Sequence, residues 1–333
     1  MVRSAVYSFA DDSHFEHVVR AGDLRTFPTA RGDFRAELIR IDLDKLWLQS
    51  AIESLPRTAH FAIHPGRAPI FFLAGAGDAA IQQSGTDFRP ESILFFGRDS
   101  SHYQRAPANS RWASISLTPD ELASAGSALA GRALARSDLN TIVKPSAAAL
   151  ACLRDLHGEA RRLARQSPET LARPEVARAL EAASVRTMVS CLGEGKVEAL
   201  DAGARLRLRI MARLEELLAA NPARPLYLID ICRSTGASER TLRRCCHEQL
   251  GMGPNRFLLL RRLHLAHREL LRGDCRAKTV TEVATGPGFW ELGRFAAAYR
   301  AQFGETPVAT LRRPPDEPKA RQGASFFSLT ESA

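Results

Sequence analysis

Between Asp33 and about Leu117 the apolar positions come in short runs. Residues 58–64 alternate Ala59, Phe61 and Ile63 against His60, Ala62 and His64, the period of two that turns one face of a strand inward. Residues 69–74 (PIFFLA) and 93–97 (ILFFG) are continuous apolar runs bounded by Gly and Pro, and 112–117 alternates again. Several short strands separated by turn residues predict a sandwich or small barrel. The period then changes. Thr118-Pro119-Asp120-Glu121 reads as an N-cap, a first-turn proline and first-turn acids. Leu150, Leu153, Leu156, His157, Ala160 and Leu163 recur at spacings of three and four, as do Val176, Leu180, Ala183 and Thr187. These two helices are expected to lean on the strands or on a second copy of the chain. Residues 193–203 (GEGKVEALDAG) read as a linker, and 314–333 as an unstructured tail.

Helical spacing continues beyond the linker. Leu206, Ile210, Leu214, Leu217 and Leu218 mark an amphipathic helix. Residues 226–233 predict a short helix and 234–237 a tight turn suited to Gly236, with Ser238 capping a second helix. In that helix Leu242 and Cys246 face inward. Arg240, Arg243, Arg244 and His247 fall at i, i+3, i+4 and i+7, one stripe along the outer face. Such a stripe suits the major groove, where arginine pairs bidentately with guanine or grips phosphate. An arginine-rich surface helix would look the same, and an internal repeat separates the two readings. Ile231-Cys232, Gly236 and Glu239 return 52 residues later as Val283-Ala284, Gly288 and Glu291. Gln249-Leu250-Gly251 and Pro254 return after 53 residues as Gln302-Phe303-Gly304 and Pro307. A connecting helix over 254–272 would be about 27 Å long, so with its flanking turns the two units reach successive major grooves about 34 Å apart.

Charge agrees with this. The net charge is +9. Residues 201–333 hold 22 Lys and Arg against 14 Asp and Glu, whereas the first 200 hold 24 against 23. The basic surplus belongs to the C-terminal part, which points to a polyanion partner. The six cysteines form no C-x-x-C, so zinc-ribbon and thioredoxin-like geometries are missing. Cytosolic cysteines of this kind read as small buried hydrophobes. No run of 18 apolar residues predicts a membrane span, and the N-terminus lacks the apolar core of a signal peptide. A cytoplasmic protein is expected.

The C-terminal part resembles the AraC/XylS family of bacterial regulators. Ser238, Arg240, Thr241, Leu242, Arg244, Gly251 and Pro254 follow the family's first helix-turn-helix, and Arg262-Leu263 with Ala266 its connecting helix. Val280-Thr281-Glu282-Val283-Ala284, Gly288-Phe289, Phe295, Tyr299, Phe303-Gly304 and Pro307 match its signature. The resemblance spans about 110 residues. It implies an α+β two-domain protein: a cupin-like β-barrel with flanking helices for effector binding or dimerisation (1–192), the linker, then an all-α double helix-turn-helix domain (204–313). Expected DNA contacts are Ser238, Glu239, Arg240, Thr241, Arg243, Arg244 and His247 in the first unit, and Trp290, Glu291 and Arg294 in the second. Two departures stand out. Cys246, beside Cys245, replaces a core aromatic, as a smaller core residue or a thiol switch. Leu292, Gly293 and Ala297 occupy positions that often reach bases, so the first unit is expected to supply most polar readout, and the second phosphate, methyl or shape contacts.

Phe61, Phe71, Phe72, Phe95 or Trp112, with Phe96, are the candidates for lining an effector site. Expected partners are double-stranded DNA, RNA polymerase, a small-molecule effector and a second copy of the chain. No catalytic residue, metal ligand or cofactor is assigned. A cupin oxygenase would need clustered ligands; His60 and His64 stand about 13 Å apart along a strand at ~3.3 Å per residue, and with His102 they form no such set. An alkyl-transfer repair protein would need a reactive cysteine cluster in the first domain, which has only Cys152 and Cys191. A DNA-binding protein whose first domain merely dimerises is the remaining alternative.

Overall fold

The computed structural model describes residues 2–98, 101–198, 202–221, 225–273, 278–313 and 319–322. The first domain runs β1 (Arg3–Phe9), α1 (Asp12–Val18), β2 (Gly22–Pro28), β3 (Ala36–Asp42), β4 (Trp47–Glu53), β5 (Arg57–Ile63), β6 (Ala68–Leu73), β7 (Ile81–Gln83), β8 (Thr86–Phe88), β9 (Ile93–Phe95), β10 (Ser101–Ala106) and β11 (Ser110–Leu117). Helix α2 (Pro119–Ala130), β12 (Thr141–Lys144), α3 (Ala147–Gln166), the short α4 (Pro168–Leu171), α5 (Pro174–Glu194) and β13 (Lys196–Glu198) complete it. The cap read at Thr118 is a full capping box: its side chain accepts from the Glu121 amide, and Glu121 accepts back from Thr118, satisfying amides the first turn leaves unpaired.

The strands form two antiparallel sheets. The larger has the order β13-β12-β9-β6-β11-β4-β3-β1 and ends on β14 (Lys319–Gln322); the smaller is β2-β5-β10-β7-β8. Among the described residues no strand of one sheet pairs with a strand of the other. This corrects the expected barrel. The sheets lie face to face as an open sandwich, because closure requires edge pairings that this strand order does not make. Two boundaries also shift. Residues 196–198 of the expected linker pair with β12, and 319–322 of the expected free tail pair with β1. The rest of that tail, and residues 199–201 of the linker, lie outside the described residues.

Sheet pleating sorts the apolar residues into two layers. Leu38, Ala51, Phe71 and Trp112 from the large sheet meet Ile63, Ile81 and Phe88 from the small one. On the other face of the large sheet, Ile39, Ile41, Phe72, Phe95 and Ile115 pack against Leu150, Leu153 and Ala160 of α3 and Leu180 and Met188 of α5. Both faces of the large sheet are therefore covered, which is why β6 reads as an unbroken apolar run with every residue buried. Each full burial of a Leu, Ile or Phe contributes roughly 1.5–3 kcal/mol.

The second domain is helical: α6 (Ala202–Ala220), α7 (Leu228–Thr235), α8 (Glu239–Leu250), α9 (Pro254–Arg272), α10 (Val280–Thr285), α11 (Leu292–Phe303) and α12 (Pro307–Leu311). Helix α9 packs against three sets of neighbours. Phe257 and Leu260 enter a core with Ile210, Leu214, Ile231 and Leu242. Leu263, Ala266 and Leu270 enter a separate core with Val283, Phe289, Phe295 and Tyr299. Arg261, His264 and Arg268, spaced three and four apart, continue the face begun by Phe257. His264 and Arg268 of that face meet the first domain: Arg268 contacts Glu16 at 2.6 Å, the Thr26 carbonyl at 2.9 Å and Asp12 at 3.2 Å, and the His264 ring lies 3.2 Å from the Pro28 carbonyl.

Candidate nucleic-acid interface

Both reading units are built from the same local rules. In the first, α7 ends on Gly236 in the left-handed region (φ 68°), a conformation glycine adopts without the penalty other residues meet. The Ser238 hydroxyl accepts from the Thr241 amide at 3.2 Å and starts α8. Leu242, Cys245, Cys246 and Gln249 are buried, so the opposite face carries Glu239, Arg240, Arg243, Arg244 and His247, all exposed, with Ser238 exposed at the start and Thr241 half-buried. The arginines are not equivalent. Arg243 donates to the Glu239 carboxylate four residues back, at 2.9 Å through Nε. Arg244 lies 4.0 Å from Glu248, and Arg240 forms no ion pair among the described residues. Exposed pairs of this kind are weak, so Arg243 can exchange Glu239 for a base edge or phosphate at small cost.

In the second unit Thr279 and Glu282 form another capping box at the start of α10. Gly288 takes φ 83° in the turn, and Arg262 of α9 clamps that turn by donating to the Pro287 carbonyl at 2.8 Å and the Gly288 carbonyl at 2.7 Å. Phe289, Phe295 and Tyr299 are buried. Outward stand Trp290, which is 78% exposed, Glu291, Leu292, Gly293, Arg294 and Ala297. Arg294 pairs with Glu291 at 2.9 Å. The outer face of α11 is thus poor in polar groups where α8 is rich in them.

Cys245 and Cys246 are fully buried, and burial pushes the Cys246 thiol up to about 12, with Cys245 adding to the effect. The geometry is that of small core residues rather than of thiolates.

Of the expected effector residues, Phe61, Phe71 and Trp112, with Phe96, line a cavity of about 40 Å³ between the two sheets. Phe72 and Phe95 do not. They point from the large sheet toward α3 and α5, with Phe72 edge-on to His157 at 5.5 Å between ring centres. The histidines disperse: His102 lines the cavity, His60 faces the second domain, and His64 is exposed. Among the described residues no group of three His, Cys, Asp or Glu side chains is placed to hold a metal ion, and no helix is long and apolar enough to cross a membrane.

Sequence reasoning missed the contact between the domains. Arg25, His60 and Tyr103 lie side by side on β2, β5 and β10. All three face Glu215 of α6, with Tyr103 donating to it at 2.6 Å and Arg25 at 3.3 Å, and His60 at 3.8 Å. Phe27 and Tyr103 set their rings edge-on against Phe257. Thr58 donates to the Leu250 carbonyl at 3.2 Å, and Gln302 to the Pro28 carbonyl at 2.9 Å. The one available signal was the polar stripe Arg261, His264 and Arg268 on α9. Helices α3 and α5 lie across the large sheet, whereas the small sheet touches both helix-turn-helix units.

A family model described as a helix-turn-helix domain matches residues 231–313. The probable thc operon regulatory protein of Rhodococcus erythropolis is 34% identical over 136 residues, 38% of this chain and 41% of that protein. XylDLEGF operon transcriptional activator 1 of Pseudomonas putida is 32% identical over 101 residues, 30% of each chain. Among solved structures, a probable AraC family transcriptional regulator from Rhodopseudomonas palustris is 36% identical, over 32% of this chain and 98% of that one, at a TM-score of 0.29. The chain spans less than half the length of the two curated relatives it matches.

Proposed function

Through its C-terminal domain this chain belongs to the AraC/XylS family of regulators, and we propose that the whole protein is a sequence-specific, DNA-binding transcription regulator under the control of a small molecule. One observation carries the reading: two copies of a helix-turn-helix, each with its second helix exposed, are packed on opposite ends of the single helix α9. Arg240, Arg243, Arg244 and His247 of α8 read bases and phosphates in one major groove. Trp290 and Arg294 engage the next with apolar, shape and phosphate contacts. Activation is the proposed outcome, since the Pseudomonas relatives are named as transcriptional activators. RNA polymerase and a second copy of the chain are the proposed protein partners, and the cytoplasm the proposed location.

Selection of binding sites from a random duplex pool by the full chain, followed by base-by-base scans, tests this. Arg243→Ala should relax specificity in one half-site and weaken binding by about 1–3 kcal/mol. Arg294→Ala should weaken binding more evenly across sequences and lower the salt slope by about one. Equal relaxation in both half-sites would refute the unequal heads, and failure to select any sequence would refute the function. The effector-free alternative draws on the small cavity volume, with the first domain serving only to dimerise. A metabolite screen by thermal shift, with and without the selected duplex, separates the two.

A further inference from the structure

The cavity and the domain contact are the two faces of one sheet. Side chains alternate along β2, β5 and β10: Leu24, Ala59, Phe61, His102 and Gln104 face the cavity, while Arg25, Phe27, His60 and Tyr103 face the second domain. Only one layer of backbone separates them.

The cavity has an aromatic body, Arg20, Gln49 and Ser114 along one part of its wall, and Arg57 with Gln104 at one end. At that end Arg57 donates through Nε to Glu53 at 2.5 Å, and through Nη2 to Glu53 at 2.9 Å and Gln104 at 2.8 Å. Trp112 Nε1 also donates to Glu53, at 2.8 Å. Among the described residues Arg57 Nη1 and His102 Nδ1 have no protein partner, although both side chains line the cavity and both residues are more than nine-tenths buried. A buried donor left unpaired is unfavourable. Glu53 already balances the Arg57 charge, so an anion would enter without net compensation, and a cation would find the carboxylate occupied. A neutral acceptor suits Nη1.

The present volume, about 40 Å³, holds about three waters and lies far below the ~300 Å³ of small-molecule sites. Any ligand must therefore move a wall. The large sheet is backed by a continuous apolar core under α3 and α5. The small sheet is backed by the domain contact, where among the described residues His60 Nε2, the Gln249 amide and Arg268 Nε lack protein partners. The small sheet is the wall that yields.

Resting on the reading of the first domain as effector-binding, we propose that this cavity takes a flat neutral molecule bearing a hydrogen-bond acceptor, such as an amide or lactone, with the acceptor on Arg57 Nη1. Its entry displaces β2, β5 and β10 toward the second domain and changes DNA affinity by favouring the arrangement that accommodates it. Benzamide and coumarin are the probes, against benzoate, benzylamine and toluene, in thermal-shift titrations of the full chain. The two neutral acceptors should each raise Tm by about 3 °C near saturation. No shift from either, or an equal shift from benzoate, overturns the ligand assignment. Coupling is read as the Kd for the selected duplex. A bound probe should change it at least about fivefold, and Ala59→Val, whose added methyls occupy the cavity, should block the probe and change Kd in the same direction without it. Phe61→Trp is a second filling variant should Ala59→Val fail to fold. Tyr103→Phe should still bind the probe while the DNA response shrinks. A bound probe that leaves Kd unchanged overturns the coupling. A chain that selects no duplex refutes the regulator reading and the coupling together, while the thermal shifts still decide the ligand.

Discussion

Gly236 and Gly288 hold equivalent places in the repeat, yet replacing them with alanine should have unequal consequences. Both lie in the left-handed region, at φ 68° and 83°, where an alanine costs about 1–2 kcal/mol. Their surroundings differ. A Cβ on Gly236 would have Arg213 Nη1 as its nearest neighbour, at 3.5 Å, an ordinary contact with a movable side chain. A Cβ on Gly288 would sit 2.1 Å from Cγ of Pro225 and 3.0 Å from its Cδ. A proline ring cannot swing aside, and the Arg262 clamp on the Pro287 and Gly288 carbonyls stops the turn from retreating. Overpacking of this kind adds about 1–3 kcal/mol. Gly236→Ala should therefore destabilise its unit by about 1–2 kcal/mol, and Gly288→Ala by roughly 2–5 kcal/mol. Native-state hydrogen exchange reads each unit separately. Amides of α10 and α11 should lose protection in Gly288→Ala well beyond what α7 and α8 lose in Gly236→Ala, and binding to a two-site duplex should fall toward that of one head. Equal losses in the two variants would refute the assignment of Pro225 as the obstacle.

Other expected outcomes follow from buried groups. Burial pushes the His102 ring down to about 3, with His60 adding to the effect, and the His157 ring down to about 4. Both stay neutral in the fold while the unfolded chain takes up protons below about 6.5, so this stability is present above pH 6.5 and lost as pH falls toward 4. Between pH 7 and 5 each should remove roughly 1–2 kcal/mol; His157→Gln should flatten the fall in Tm, and a flat wild-type profile would contradict it. Arg268→Ala would strand Asp12 and Glu16 at the domain contact and should cost about 3–5 kcal/mol, seen as a lower urea midpoint and faster proteolysis between the domains. A loss under ~1 kcal/mol, the scale of an exposed pair, would mean that the contact is solvated. A thiol reagent at pH 8 should modify the exposed Cys152 while Cys191, Cys245 and Cys246 react only on unfolding. A disulfide between Cys245 and Cys246 formed by mild peroxide in the native protein would restore the thiol-switch reading.

Local patterns legible in the residues correspond to local structure. Thr118 and Ser238 cap the helices they precede, Gly236 makes the tight turn its position predicts, and the period-two stretch forms β5 through Ile63. These depend on neighbours a few residues apart, so the chain by itself determines them, as it does the repeat and the exposed arginine stripe. The continuous runs were different. PIFFLA carries no alternation, and with both faces of its strand buried nothing local says that Phe71 faces the cavity and Phe72 the helices. Open sandwich against closed barrel rests on pairings between strands remote in sequence, which short-range periodicity does not encode. The domain contact lies further out of reach, because Arg25, His60, Tyr103 and Glu215 acquire a shared role only when segments up to 190 residues apart are brought together. The sequence on its own determined the two helices proposed to meet DNA. Tertiary packing alone decided that the sheet behind the cavity is also the surface that holds them.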